Sequence, residues 1–222
     1  MLLLVSGAII VMLIILAIII NMRTVAAVKS LSGDPKDFCA LVSRPETDAF
    51  KQAVVETDQF AREANLKPYK LLNFELPKQT LQIATWHDPN SARSLIMFYH
   101  KGRAEYDIIS HFADKTRLST TNQADSHFLP LGNSHHIQNF THLSLAHLLG
   151  EHRAGEQYLA NRHELAIGID GDQAFKNILT QFAEHMQAIQ EKSLWQLRGA
   201  YWYLWRRNLR ANTSIKTLHK LN

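Results

Sequence analysis

The sequence predicts an α+β protein: an N-terminal transmembrane helix, an antiparallel β-meander of four to five strands packed with amphipathic helices, and a long C-terminal helix. Three observations carry this expectation. The first twenty-odd residues are an uncharged apolar run, the middle of the chain alternates apolar and polar residues with period two, and the flanking segments repeat apolar residues at helical spacing.

From Leu2 to Ile20 the run holds fourteen Leu, Ile or Val, and the first charged residue is Arg23. At about −0.3 to −0.6 kcal/mol each, these residues favour insertion by roughly 4 to 8 kcal/mol. As a helix they reach about 28 Å, close to the roughly 30 Å of a bilayer's hydrocarbon core. A cleaved signal peptide is the competing reading, with Val25-Ala26-Ala27 as a small-residue site. The run has no basic n-region, however, and exceeds the usual apolar length of such peptides. Arg23, Lys29 and Lys36 follow the run, so the positive-inside rule predicts a single-pass cell-membrane protein with its C-terminal domain in the cytoplasm.

Residues 23–45, with Ser32-Gly33-Asp34-Pro35 and Pro45, are expected to be a linker between the anchor (1–22) and a soluble α+β domain (46–191). Phe50, Val54, Thr57, Phe60 and Ala64 recur at helical spacing after Thr47 or Asp48, either of which can cap, and Pro68 closes that helix. Strands are expected over Tyr69–Leu76, Thr80–His87, Arg93–His100, Ala104–Phe112 and Arg117–Thr121, with turn chemistry at Asp88-Pro89-Asn90-Ser91 and Asp114-Lys115-Thr116. In the fourth run Ala104, Tyr106, Ile108, Ser110 and Phe112 share one face and Glu105, Asp107, Ile109 and His111 the other, which predicts one buried and one wet face. After a polar stretch to Asn139, Leu143 to Leu149 suggest a helix, interrupted at Gly150 to Gly155 and resumed over Tyr158–Leu165. Asp170 starts the longest helix, with Phe175, Ile178, Leu179, Phe182, Met186, Ile189 and Ser193 as its core stripe.

Composition narrows function. The formal charge of +4 is uneven: from Lys192 onward there are seven Lys or Arg and no acid, leaving residues 1–191 at −3. One cysteine, Cys39, offers neither an internal disulfide nor a CxxC metal site and fits a reducing compartment. Of the twelve histidines, His135, His136, His142, His147 and His152 crowd together. The last three are spaced by five, which turns successive rings by about 140° on a helix, whereas a helical zinc pair needs i, i+4. His163-Glu164 is followed by Ile167 where HExxH would place histidine. Asp170-Gly171-Asp172 matches a fragment of a calcium loop, but Gln181 stands where the bidentate glutamate belongs, so a helix cap explains it better. Asp125, Ser126 and His127 have triad residue types, yet neighbours in sequence cannot converge as a triad. Glu105, Asp107 and His111 on one strand face are the remaining acid–base candidates. No catalytic residue, metal or cofactor is assigned.

The segment 192–222 is basic and aromatic. Projected as one helix, Leu194, Trp195, Leu197, Tyr201, Trp202, Leu204, Trp205 and Leu209 fill half the circumference, with Arg206, Arg207 and Arg210 opposite. Trp195, Tyr201, Trp202, Trp205 and these three arginines form the expected membrane interface. The competing reading puts the aromatics in the domain core. The expected function is a membrane-anchored, non-catalytic protein-interaction domain at the cytoplasmic face, its partners the bilayer and another membrane protein. A membrane-tethered hydrolase or metal-dependent enzyme using the His-rich region, and a tethered nucleic-acid binder, are the rival classes.

Overall fold

Alternating residues between turn formers make strands, and in the computed structural model, which describes residues 2–34, 39–76, 79–88, 90–126, 129, 134–164 and 170–221, they build one sheet. The fold is α+β. Strands β1 (Cys39–Val42), β2 (Lys67–Leu76), β3 (Gln79–His87), β4 (Arg93–His100), β5 (Arg103–His111), β6 (Arg117–Thr121) and β7 (His135–Asn139) lie side by side in chain order. Neighbours are antiparallel except β6 and β7, which are parallel and joined by a connection of the dozen or so residues such a crossover needs. All five expected strands are present. Two more flank them, β1 within the expected linker and β7 at the end of the polar stretch.

Helices cover both faces. On one side α2 (Asp48–Glu63) and α3 (Leu145–Ala160) pack on a core that includes Leu95, Met97, Ile108 and Trp86. On the other α4 (Gly171–Gln190) lays Phe175 and Ile178 over Leu72, Ile83, Ile96 and Ile109. Both faces of the sheet are therefore buried along its middle, and the expected wet face of β5 is covered: His111 is 3% exposed.

Local chemistry sets the boundaries. Thr47 caps α2, accepting from the Phe50 N–H at 3.2 Å. The helix stops before Pro68 acts, because Asn65 adopts the left-handed conformation (φ 64°) and the Leu66 N–H returns to the Ala61 carbonyl at 2.8 Å, a Schellman closure. Lys101 and Gly102, both at positive φ, form the two-residue turn that pairs β4 with β5. Asp170 occupies the N-cap position of α4 without a side-chain cap bond, and instead Asp172 accepts from Tyr69 and Lys70 on β2.

Three segments depart from expectation. The apolar helix α1 runs from Leu2 to Ser30, past the expected linker boundary, and is long and apolar enough to cross a membrane. Helix α3 is uninterrupted, and Gly155 serves packing rather than termination: a Cβ there would lie 2.8 Å from Gln138 Nε2 and 2.9 Å from Leu118 Cδ2. The tail is no single long helix. A 3-10 turn (Trp195–Leu197), α5 (Gly199–Tyr201), a π-helical turn (Trp202–Arg206) and α6 (Arg207–Arg210) precede α7 (Ile215–Leu221), and Ser193 lies beyond the end of α4. Lys36, His127, Leu165 and Ile167 lie outside the described residues.

The two α3 glycines should respond oppositely to alanine. Gly150 faces open space, so Gly150→Ala should stabilise by roughly 0.5–1 kcal/mol through helix propensity. Gly155→Ala should cost about 1–2 kcal/mol net, overpacking outweighing propensity. Urea midpoints of the full chain in detergent measure both.

Candidate functional site

The most unusual chemistry in the sheet lies on β5, β6 and β7, which carry a cluster of buried polar residues. Every residue of β6 is buried, although its sequence is Arg-Leu-Ser-Thr-Thr. Polar side chains enclosed in this way must find partners or forfeit about 1–3 kcal/mol each, and the two faces meet that demand differently.

Under α3 the accounting closes. Arg93 grips Glu156 through both Nε (3.1 Å) and a terminal nitrogen (2.7 Å). The Ser110 hydroxyl donates to Glu156 and lies 2.8 Å from His152 Nε2. The other ring nitrogen of His152 is 2.8 Å from Thr120 Oγ1, which also accepts from Gln138 Nε2 at 2.8 Å. Gln138 Oε1 then receives the Ile215 N–H at 3.1 Å, tying α7 to the sheet. With the proton on Nε2 every donor in the chain has an acceptor. Burial holds His152 neutral, its pKa below the ordinary range. Burial alone would raise Glu156, but hydrogen bonds from His152, Arg93 and Ser110 hold it near 2. Ser110, His152 and Glu156 have nucleophilic-triad residue types, but the geometry opposes that role. The carboxylate bonds the serine side rather than the far ring nitrogen, and Ser110 and His152 are at most 1% exposed.

Under α4 the accounting stays open. His135 lies between Arg117 (2.8 Å) and Ser119 (2.9 Å). Asp107 Oδ1, His111 Nε2 and Arg117 Nε are enclosed with no hydrogen-bond partner among the described residues. Burial, partly offset by Arg117, raises Asp107 to about 7. Burial, then Arg117 and His87, lowers His111 to about 4, and burial brings Arg117 down to about 10. Asp107 and His111 thus share a face, as alternation requires, but beneath a helix rather than in solvent. Glu105, on the same strand, is raised chiefly by burial.

The crowded histidines disperse. His135 joins the α4 layer, His152 the α3 network, His142 and His147 are exposed, and His136 packs with His219 and His163 at ring separations of 5.1 and 6.0 Å. His163 is itself held by Asp114 at 2.7 Å. Among the described residues no three His, Cys, Asp or Glu side chains are grouped to hold a metal ion. The pocket between Tyr69, His87, Gly171 and Phe175 has a volume of about 10 Å³, room for one water. Asp125 pairs with Arg207 at 2.6 Å, and Ser126 accepts from Asn139 at 2.9 Å.

The tail divides its expected interface residues. Trp195 and Trp202, each 4% exposed, are buried against Val28, Leu31, Met186 and Ile189. Tyr201 and Trp205, at 60% and 62%, face outward with Leu194, Leu197, Leu204 and Leu209. Arg207 stacks 4.2 Å over the Tyr203 ring, while Arg206 and Arg210 are half-buried. The segment docks on the lower part of α1: the Ala200 N–H donates to Asn21 Oδ1 at 2.8 Å, and a Cβ on Gly199 would stand 2.5 Å from Thr24 Oγ1. No protein-family model matches this chain, and neither a curated protein nor a solved structure matches it.

Two predictions follow from these placements. Trp202→Ala should lower stability by about 3–5 kcal/mol while Trp205→Ala changes it by less than about 0.5, as urea titration of the full chain in detergent will read. For Asp107, a folded-state pKa raised from 3.8 to about 7 means that the fold is penalised as pH rises through that window. Asp107→Asn should therefore be more stable than the parent by about 2 kcal/mol at pH 8, discounted for the exposure the side chain keeps, with the gap closing below pH 4.

Proposed function

We propose that the chain is a single-pass, membrane-anchored, non-catalytic protein-interaction domain held at the cytoplasmic face of the cell membrane. The observation that carries this reading is the continuity of α1: an apolar run with exposed side chains from Ile9 to Ile19 passes, without a break in the helix, into a stretch whose Thr24, Val28 and Leu31 are buried in the domain. The anchor is thereby part of the domain's core, and the domain cannot drift from the bilayer on a slack tether. Arg23 and Lys29 follow the apolar run and support the cytoplasmic orientation.

A non-catalytic role is supported by the closed network under α3, which ties up its serine, histidine and carboxylate. Confinement to the membrane raises the effective concentration of any membrane-bound partner, so modest affinity suffices. A membrane-tethered enzyme is the second reading, favoured by the unpartnered atoms of Asp107, His111 and Arg117 under α4.

Alkaline carbonate washing should leave the full chain in the membrane pellet, and protease added outside intact cells should leave the domain uncut. Release into the supernatant removes the anchor, and ready external digestion reverses the orientation. Thiol labelling is the poorer probe, since burial pushes Cys39 up to about 11 whatever side it faces. Photo-crosslinkers at exposed Leu41 and Val55 should give discrete heavier species in native membranes if the domain docks a protein partner there.

A further inference from the structure

The outward side of the tail presents Leu194, Leu197, Tyr201, Leu204, Trp205 and Leu209, each between 48% and 68% exposed, within sixteen residues of chain. Such density of large apolar groups marks a contact surface rather than a solvated one. Its place in the fold says what it contacts. Ala200 and Gly199 are held against Asn21 and Thr24, the first turn of α1 beyond the apolar run that ends at Ile20. Tyr201 follows directly on that contact and Trp205 one turn later. If α1 spans a bilayer, Asn21 marks the edge of the hydrocarbon, and the tail is pinned at the depth where tyrosine and tryptophan partition best.

Charge complementarity identifies the kind of lipid. No acidic residue follows Glu191. Arg207 is neutralised by Asp125, whereas Arg206 is half-buried and its Nε has no acceptor among the described residues. A guanidinium group beside exposed aromatic rings matches the phosphodiester of a lipid headgroup, which offers two anionic oxygens to a planar donor.

We propose that the outward face of residues 194–209 seats in the headgroup layer of the bilayer that α1 enters, and that Arg206 binds the phosphate of an anionic phospholipid there. This inference rests on the anchoring reading, and the test separates the two. The full chain is reconstituted with phosphatidylcholine or phosphatidylglycerol carrying bromine on the acyl chain near the headgroup, and tryptophan quenching is recorded. Trp86, Trp195 and Trp202 are buried, so wild-type emission should be quenched and most of that quenching should vanish in Trp205→Phe. The relative association constant of phosphatidylglycerol over phosphatidylcholine should lie several-fold above one. It should fall roughly fivefold in Arg206→Gln, as a single basic contact implies. Unchanged emission from Trp195 and Trp202 shows that these variants keep the fold. Absent quenching in a protein that withstands carbonate overturns the proposal and assigns the face to a protein partner or a second copy. Equal quenching by both lipids overturns the phosphate site. Release by carbonate overturns the anchoring reading, and the proposal with it.

Discussion

The contact between the lower part of α1 and the start of the tail constrains the rest of the molecule. A hydrophobic helix that ended at Ile20 would leave the domain on a flexible segment whose reach grows as about 5–6 Å times the square root of its length. Instead the helix continues to Ser30 and is enclosed. Thr24 makes the enclosure possible by bonding its hydroxyl to the Ile20 carbonyl at 2.9 Å, so a buried polar group is satisfied within its own helix. Gly199 makes it possible from the other side, since any side chain there would collide with Thr24. Asn21 then supplies an acceptor for the Ala200 N–H, one of those a helix start leaves unpaired. Beneath this seam Trp195 and Trp202 fill the space between Val28 and Ile189, so α4 is tied to α1, and through α4 the sheet. Any reorientation of α1 is passed to the sheet.

The two faces of β5, β6 and β7 show what a polar interior costs under different rules. Under α3, each hydrogen bond supplies the acceptor the next donor needs, from Arg93 through Glu156, Ser110, His152, Thr120 and Gln138 to the backbone of α7. A chain so connected fixes one register between α3, the sheet and α7, because a slip of one residue would strand a charge and several hydroxyl groups in a low-dielectric space. Under α4 the same strands leave Asp107, His111 and Arg117 with enclosed atoms that have no partner among the described residues. That layer favours neutral Asp107 and neutral His111, so both are uncharged between about pH 4 and about pH 7, with Asp107 charging above that window and His111 below it. Stability there is drawn from Phe175 and Ile178 beside the layer rather than from the layer itself.

How much of this was legible depended on whether the pattern that defines an element also defines its burial. β2 to β5 could be found because apolar residues mark their buried positions, and α2 because its cap and stripe agree. β7, His-His-Ile-Gln-Asn, could not, since its inward positions carry members of polar layers and no apolar alternation survives. β1 is four residues beside a glycine and proline cluster and is specified by its pairing with β2. The break expected at Gly150–Gly155 was absent because Gly155 answers a packing need across the sheet, which no local rule reports. The histidines were visible as a crowd, but strand alternation sends His135 and His136 to opposite faces, and α3 begins only after His142. The local cue to the α3 network is the i, i+4 pair His152 and Glu156, on a helix whose apolar stripe they interrupt.

The tail shows why the helical projection placed all three tryptophans on one arc. On an α-helix Trp202 and Trp205 stand about 60° apart, near enough to share an environment. From Trp202 to Arg206 the backbone is a π-turn, its hydrogen bonds spanning five residues, so each residue advances less around the axis and the angle between the two indoles widens. That is enough to send Trp202 inward to α1 and Trp205 outward. Leu194, at φ 54°, has already broken the register with α4. One short aromatic segment thus acquires two faces of different chemistry, one that locks α1 to the core and one that stays exposed beside it. Because both faces belong to the same turn of backbone, the position of the outer indole relative to α1 is set by the packing of the inner one.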